Sequence, residues 1–219
     1  LCIDTNTLVP WLIKEAGVLG LLETKFRLSK EFTDVYLERH KHSISFIEKF
    51  IFLKSKGYDG NCYCSYLAMN ELYSAIRDEV RSIILLKEGI PLSRWIEERH
   101  TVAFPEECAE IIFTKIDEYF NKLIETDLII PLSDEPEENG DHFSEIVASL
   151  IFKFKRIKTQ DAILLATAIS IQANYFVTFD QRLIDEVQKD LVDNYDLRLI
   201  TPKQGNHLLS IQRRRMRLD

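Results

Sequence analysis

Glycine and proline are scarce in this chain, seven and six among 219 residues, which argues against a long disordered linker. Cysteine is also rare. Cys2, Cys62, Cys64 and Cys108 form no pair of CxxC motifs, so no structural zinc site is expected. Cys62 and Cys64 stand two apart in an apolar stretch, the spacing of small core residues on one face of a strand. No run of about 18 apolar residues is present to span a membrane, and no signal peptide is visible; a reduced, cytoplasmic setting is the expectation. A glycine-rich phosphate loop is missing, which argues against a nucleotide-dependent enzyme. Histidine offers little: His40 and His42 fall on a polar helical stretch and read as solvated. His100, His142 and His207 have no partner at triad or metal spacing.

What remains is an ordinary globular composition, 46% hydrophobic and 29% charged, with a formal net charge of -7. It suits one large domain, 1–219, carrying substantial insertions. Leu1-Cys2-Ile3 is a short apolar run that stops at Asp4 and reads as a buried strand. A helix follows from Thr5, with Leu8, Leu12 and Ile13 on its apolar face. A long helix is expected from about Glu31 to Lys56, built on Phe46, Ile47, Phe50, Ile51 and Leu53, and broken by Gly57 to Gly60. Cys62 to Cys64 reads as a second strand, with Ser65 as the N-cap of a helix carrying Leu67, Met69, Glu71, Leu72, Ala75 and Ile76. The stretch from about Arg81 to Ile130 is helical in pattern, with Ile111, Ile112, Ile116, Phe120 and Leu123 as one buried face and Pro91 and Pro105 as punctuation. Ser133 to Asp141 is charged, contains breakers and reads as a solvated loop. An Ala-rich helix opens at Thr159-Gln160-Asp161, a strand runs from Tyr175 to Phe179 and ends at Asp180, another helix carries Leu183, Ile184 and Val187, and a last strand spans Leu197 to Ile200. Short apolar strands alternating with helices predict an α/β fold with a parallel sheet covered on both faces. Helical insertions are expected at about 20–60 and about 81–150.

In an open parallel sheet the site lies beyond the carboxyl ends of the strands. Asp4 ends the first strand, Glu71 lies about two turns into the helix after the second, Asp161 opens the Ala-rich helix, and Asp180 follows its own strand. Four carboxylates on one rim repel one another, and a divalent cation resolves the conflict. Oxygen-only ligands select a hard ion, Mg2+ or Mn2+. Each acid also has a structural role open to it: a cap at Asp4, an exposed helix position at Glu71, a first-turn acid at Asp161, a turn residue at Asp180. The functional case rests on their joint placement. Asn6 can hydrogen-bond a carboxylate or water, and Thr178, two before Asp180, reads as facing the same side and orienting a metal-bound water.

Ile3-Asp4-Thr5-Asn6, then Asn70-Glu71-Leu72, then Asp161-Ala162-Ile163-Leu164-Leu165-Ala166-Thr167-Ala168, then Val177-Thr178-Phe179-Asp180 resemble the four successive motifs of PIN domains. That family includes the VapC-type toxins of toxin–antitoxin pairs and RNA-processing nucleases. The resemblance implies a three-layer α/β/α fold and magnesium- or manganese-dependent cleavage of RNA. It implies a metal held by Asp4, Glu71, Asp161 and Asp180, supported by Asn6 and Thr178. The partners it suggests are an RNA substrate, an antitoxin protein and a second copy of the chain in a homodimer, with no membrane. The gaps from Asp4 to Glu71 and from Glu71 to Asp161 are longer than in compact members of the family, which sets this chain apart from the compact toxins.

The reaction expected of such a site is metal-assisted hydrolysis of a phosphodiester. One alternative of another class is a non-catalytic RNA-binding or scaffold protein that keeps the fold. Another is a phosphatase with Asp4 as nucleophile. That chemistry usually wants an Asp-x-Asp pair, and the second position here is Asn6. Arg213, Arg214, Arg215 and Arg217 make a basic C-terminal tail that reads either as frayed and solvated or as a phosphate contact.

Overall fold

The computed structural model of this chain describes residues 1–102, 106–132 and 140–217, with the side chains of 140 and 141 also left undescribed. Within them the protein is α/β, with five strands in one all-parallel sheet and ten α-helices. Strand β1 is Cys2–Ile3, followed by α1 (Thr5–Glu15), α2 (Val18–Lys25) and α3 (Lys30–Ser55). Strand β2 (Tyr63–Ser65) leads into α4 (Tyr66–Lys87). Next come a 3-10 turn (Leu92–Arg94), α5 (Trp95–Glu98), α6 (Glu106–Glu125) and β3 (Ile130–Leu132). Helices α7 (Gly140–Lys153) and α8 (Thr159–Ser170) precede β4 (Tyr175–Val177), α9 (Gln181–Tyr195), β5 (Arg198–Ile200) and α10 (Pro202–Arg215).

The strand order is β3-β2-β1-β4-β5. The chain steps outward from β1 through β2 to β3, then returns to the other side of β1 with β4. The direction of winding therefore reverses between β1 and β4, and that reversal opens a crevice at their carboxyl ends. The register places Cys2 beside Phe176 and Ile3 beside Val177, so Asp4 and Thr178 emerge level with each other. Successive strand residues point to opposite faces, and both residues of β1 are buried, as are Phe176 and Val177 of β4. The sheet is thus covered on both faces, consistent with a three-layer α/β/α arrangement.

Helix α3 takes the length expected, with Phe46, Ile47, Phe50 and Leu53 buried and Ile51 half-buried. Ser65 caps α4 by accepting from the Ala68 amide at 3.1 Å. All four cysteines are buried and free. Burial pushes the thiols of Cys2 and Cys62 up to about 12, so neither serves as a nucleophile.

Several expectations need correction. The segment read as a helical insertion at 81–150 contains β3, which pairs with β2 at Tyr63–Ile130, Cys64–Pro131 and Ser65–Leu132 and extends the sheet. Residues 81–87 complete α4. In α6, Ile112, Ile116, Phe120 and Leu123 form the buried face, but Ile111 is 38% exposed because adjacent helical positions diverge by about 100°. Of the loop read at Ser133 to Asp141, residues 133–139 lie outside the described residues, as does Pro105, while Gly140 and Asp141 begin α7. Strand β4 stops at Val177 rather than Phe179. The arginine tail is helical through Arg215, where three positive side chains suit the negative end of the α10 dipole. Arg213 lies over the Phe52 ring, 5.3 Å from its centroid.

Candidate functional site

Asp4 follows β1 directly, and its amide donates to Val177 O at 3.0 Å. That bond holds the first turn of α1 against β4. Thr7 Oγ1 adds a bond to the same carbonyl at 3.2 Å, and Thr5 Oγ1 reaches Ala68 O at 3.0 Å. The start of α1 is thereby tied to β4 on one side and to α4 on the other. The Asp4 side chain makes no capping bond to α1. Instead its Oδ2 accepts from Thr178 Oγ1 at 2.8 Å. The same hydroxyl accepts from the Asp180 amide at 3.1 Å. Thr178 is fully buried, so its hydroxyl positions Asp4 and the turn into Asp180 and does not face a water. The sequence alone places Thr178 on the same side of the strand as Asp180, with its hydroxyl orienting a metal-bound water. The strand ends one residue before Thr178, which breaks the alternation on which that reading relied.

Asp180 is the N-cap of α9. Its Oδ1 accepts from the amides of Arg182 at 2.9 Å and Leu183 at 3.1 Å. Asp161 sits in the first turn of α8, and its Oδ2 accepts from the Lys158 amide at 3.3 Å. Asp4, Asn6, Glu71, Asp161 and Asp180 all line one cleft of about 510 Å³. Of the six candidates, only Thr178 stands behind the wall. The acids feel one another. Burial raises the Asp4 pKa, the Thr178 bond opposes the rise, and the Asp161 charge adds to it. Burial raises Asp161 as well, the Lys158 amide and charge oppose it, and the Asp180 charge adds to it. Asp161 therefore couples to acids on both sides.

Among the described residues no three His, Cys, Asp or Glu side chains are close enough to hold a metal ion. The hydrogen bonds explain this spacing. Asp161 and Asp180 accept from amides at helix starts and Asp4 from Thr178, so each of these three carboxylates has a hydrogen-bond donor of its own.

The cleft also contains residues that the sequence reading passed over: Ser74, Asp78 and Glu79 of α4, Arg99 after α5, and Lys158 and Gln160 at the head of α8. Asp78 and Glu79 follow Glu71 by two helical turns and extend the acidic wall along α4 by about 10 Å. The available signal was the i, i+4, i+7 spacing of Glu71, Ala75 and Asp78, a stripe that is polar at both ends. His40 also departs from expectation. Rather than solvated, it is packed against Tyr36, ring centroids 4.6 Å apart, and edge-on to Phe179 at 6.3 Å. Its Nε2 lies 3.5 Å from Glu79 Oε1, behind the cleft wall. His42 is half-buried. Compared with known proteins, the chain matches no family model, no curated protein and no solved structure.

Proposed function

We propose that this chain is a PIN-like, metal-dependent nuclease, in the first place an endoribonuclease that hydrolyses RNA phosphodiester bonds. The observation that carries the reading is the gathering of Asp4, Glu71, Asp161 and Asp180 along one cleft at the switch point of a parallel sheet. A fold that collects like charges, with Asp4 buried and Glu71 and Asp161 half-buried, loses stability unless a cation is drawn in.

The donor types suit such an ion, although the carboxylates would have to draw together to share it. It is all oxygen and anionic, which favours Mg2+ or Mn2+ over softer metals. Asp4, Glu71 and Asp161 would hold it, with Asp180 completing the acidic rim. The ion would supply Lewis-acid activation of water and neutralise charge on the phosphoryl group. The protein's own part is positioning. Thr178 fixes Asp4 in the orientation that its register with β4 allows, and Asn6 stands at the mouth of the cleft as a polar contact. A toxin with a cognate antitoxin and an RNA-processing enzyme are both compatible with this chemistry, as is a homodimer.

The non-catalytic, RNA-binding scaffold has one observation in its favour, the separation of the carboxylates from one another. One assay separates the two readings. Single-stranded RNA and matched DNA are incubated with the protein in manganese, magnesium or EDTA, alongside Asp161→Asn. We expect metal-dependent cutting of RNA that falls at least a hundredfold in the variant. A folded wild-type protein that binds manganese yet cuts neither nucleic acid would favour the scaffold. Wild-type cutting by the variant would remove the site assignment.

A further inference from the structure

The acidic cleft does not end at Asp161 and Asp180. Both residues, with Lys158 and Leu183, also line a second hollow of about 480 Å³ that Glu71 and Arg99 do not line. Its remaining walls are Arg156, Ile157, Arg182 and Glu186. Three cations thus converge on the outer side of the two aspartates, in a chain whose net charge is -7. They come from separate elements: Arg156 and Lys158 from the link between α7 and α8, Arg182 from the first turn of α9.

None of the three forms an ion pair among the described residues. Three carboxylates share the hollow, and each accepts from a backbone amide rather than from these side chains: Glu186 Oε1 from Arg156 at 3.0 Å, Asp161 Oδ2 from Lys158 at 3.3 Å and Asp180 Oδ1 from Arg182 at 2.9 Å. The Glu186 bond fastens the α7–α8 link to α9, and Arg156 and Arg182 line the same hollow. Arg182 is held in turn, because its own amide donates to Asp180. The positive groups are therefore anchored at their backbones, while their charged ends stay exposed. Lys158 stands at the junction, close enough to Asp161 to favour its ionised form.

We infer that this outer hollow binds the phosphate backbone of a single-stranded RNA, carrying the strand away from the bond placed against the carboxylates. The inference rests on the nuclease reading for its substrate. The chemistry is that of exposed guanidinium and ammonium groups, without an ion pair among the described residues, facing a polyanion, where each neutralised phosphate releases counterions and makes affinity fall with salt. An acid-lined cleft repels such a strand, and a fixed cationic exit beside it supplies the missing attraction and a direction.

The test measures binding apart from cutting. A labelled oligouridylate is titrated with the full chain in EDTA over a range of salt, using wild type, the double variant R156Q/R182Q and the charge-retaining R156K/R182K. The expected result is a slope of log affinity against log salt that is shallower by about 1.4 in the Gln variant, about 0.7 for each lost phosphate contact, and near wild type in the Lys variant. Equal melting temperatures exclude a folding defect. An unchanged slope in R156Q/R182Q overturns the inference, whether or not the protein cuts RNA. The expected slope change in a protein that never cuts with metal leaves this surface in place and removes the nuclease reading instead. Failure of the wild type to bind the RNA in EDTA also overturns the inference, and the nuclease reading is then decided by the cutting assay with metal. A deoxyuridylate bound with the same slopes would assign the surface to the backbone alone, with the sugar left to the cleft.

Discussion

The Thr178 hydroxyl is used twice, donating to Asp4 and accepting from the Asp180 amide, with no exposure to water. Thr178→Val, nearly the same shape, leaves a buried carboxylate oxygen and an amide without partners. The expected cost is about 1–3 kcal/mol in urea unfolding, and Thr178→Ser should recover most of it. Asp4 makes a prediction of opposite sign. Its pKa is raised above 3.8, chiefly by burial, so the folded state favours the protonated form. That contribution to stability is complete below the ordinary value and is lost as pH rises through the raised one. Without divalent metal, Asp4→Asn should therefore melt higher than wild type at neutral pH, and the two should converge as pH falls toward 3.8. Melting curves of both proteins across that range check it; a lower melting point for Asp4→Asn at neutral pH would count against the buried charge. Asp4 was legible in the sequence as the acid ending an apolar run. The Thr178 contact was not, because it depends on the register of β1 with β4, and that register joins segments from opposite ends of the chain.

Elements differed in how plainly they announced themselves. Helices α3 and α8 carry long apolar patterns, and their reading needed little correction. Strand β3 escaped notice because Ile130–Leu132 is three residues long and contains Pro131, which lacks an amide donor and normally excludes a strand interior. Its place at the sheet edge removes that objection, since one side needs no partner. His40 was misread for a related reason. Its stretch of α3 is polar in sequence, yet that face meets Glu79 and Phe179. Two variants test the packing of elements. Gly205 of α10 lies so close to α3 that a Cβ would sit 2.7 Å from the Phe46 ring, itself buried. Gly205→Ala should destabilise by about 1–3 kcal/mol despite the better helix propensity of alanine, read by denaturant midpoint. Asp180→Ala removes the α9 cap and should cost about 1 kcal/mol, whereas Asp161→Asn keeps an oxygen acceptor for the Lys158 amide and should cost less.

For the whole molecule, a cation held only by the folded state must raise its stability. At a manganese concentration one hundred times the dissociation constant the gain is about 2.7 kcal/mol, and the melting temperature should rise with it. Asp4→Asn should lose most of that rise while starting from a higher baseline. That pattern separates a site that stores repulsion from a generic acidic surface, and equal rises in both proteins would argue for the latter. The sequence conveyed the parallel sheet through its short apolar strands, and the four acids through their places just after strands, Asp4 and Asp180, or on the helices α4 and α8, Glu71 and Asp161. It left unread the second wall of α4 and the cations of the outer hollow, since neither appears until helices are packed side by side. The hydrogen bond between Thr178 and Asp4 joins residues 174 positions apart. A ribosome that has made most of this chain has therefore not yet made the cleft: Asp4 waits without its fastening until β4 arrives and docks.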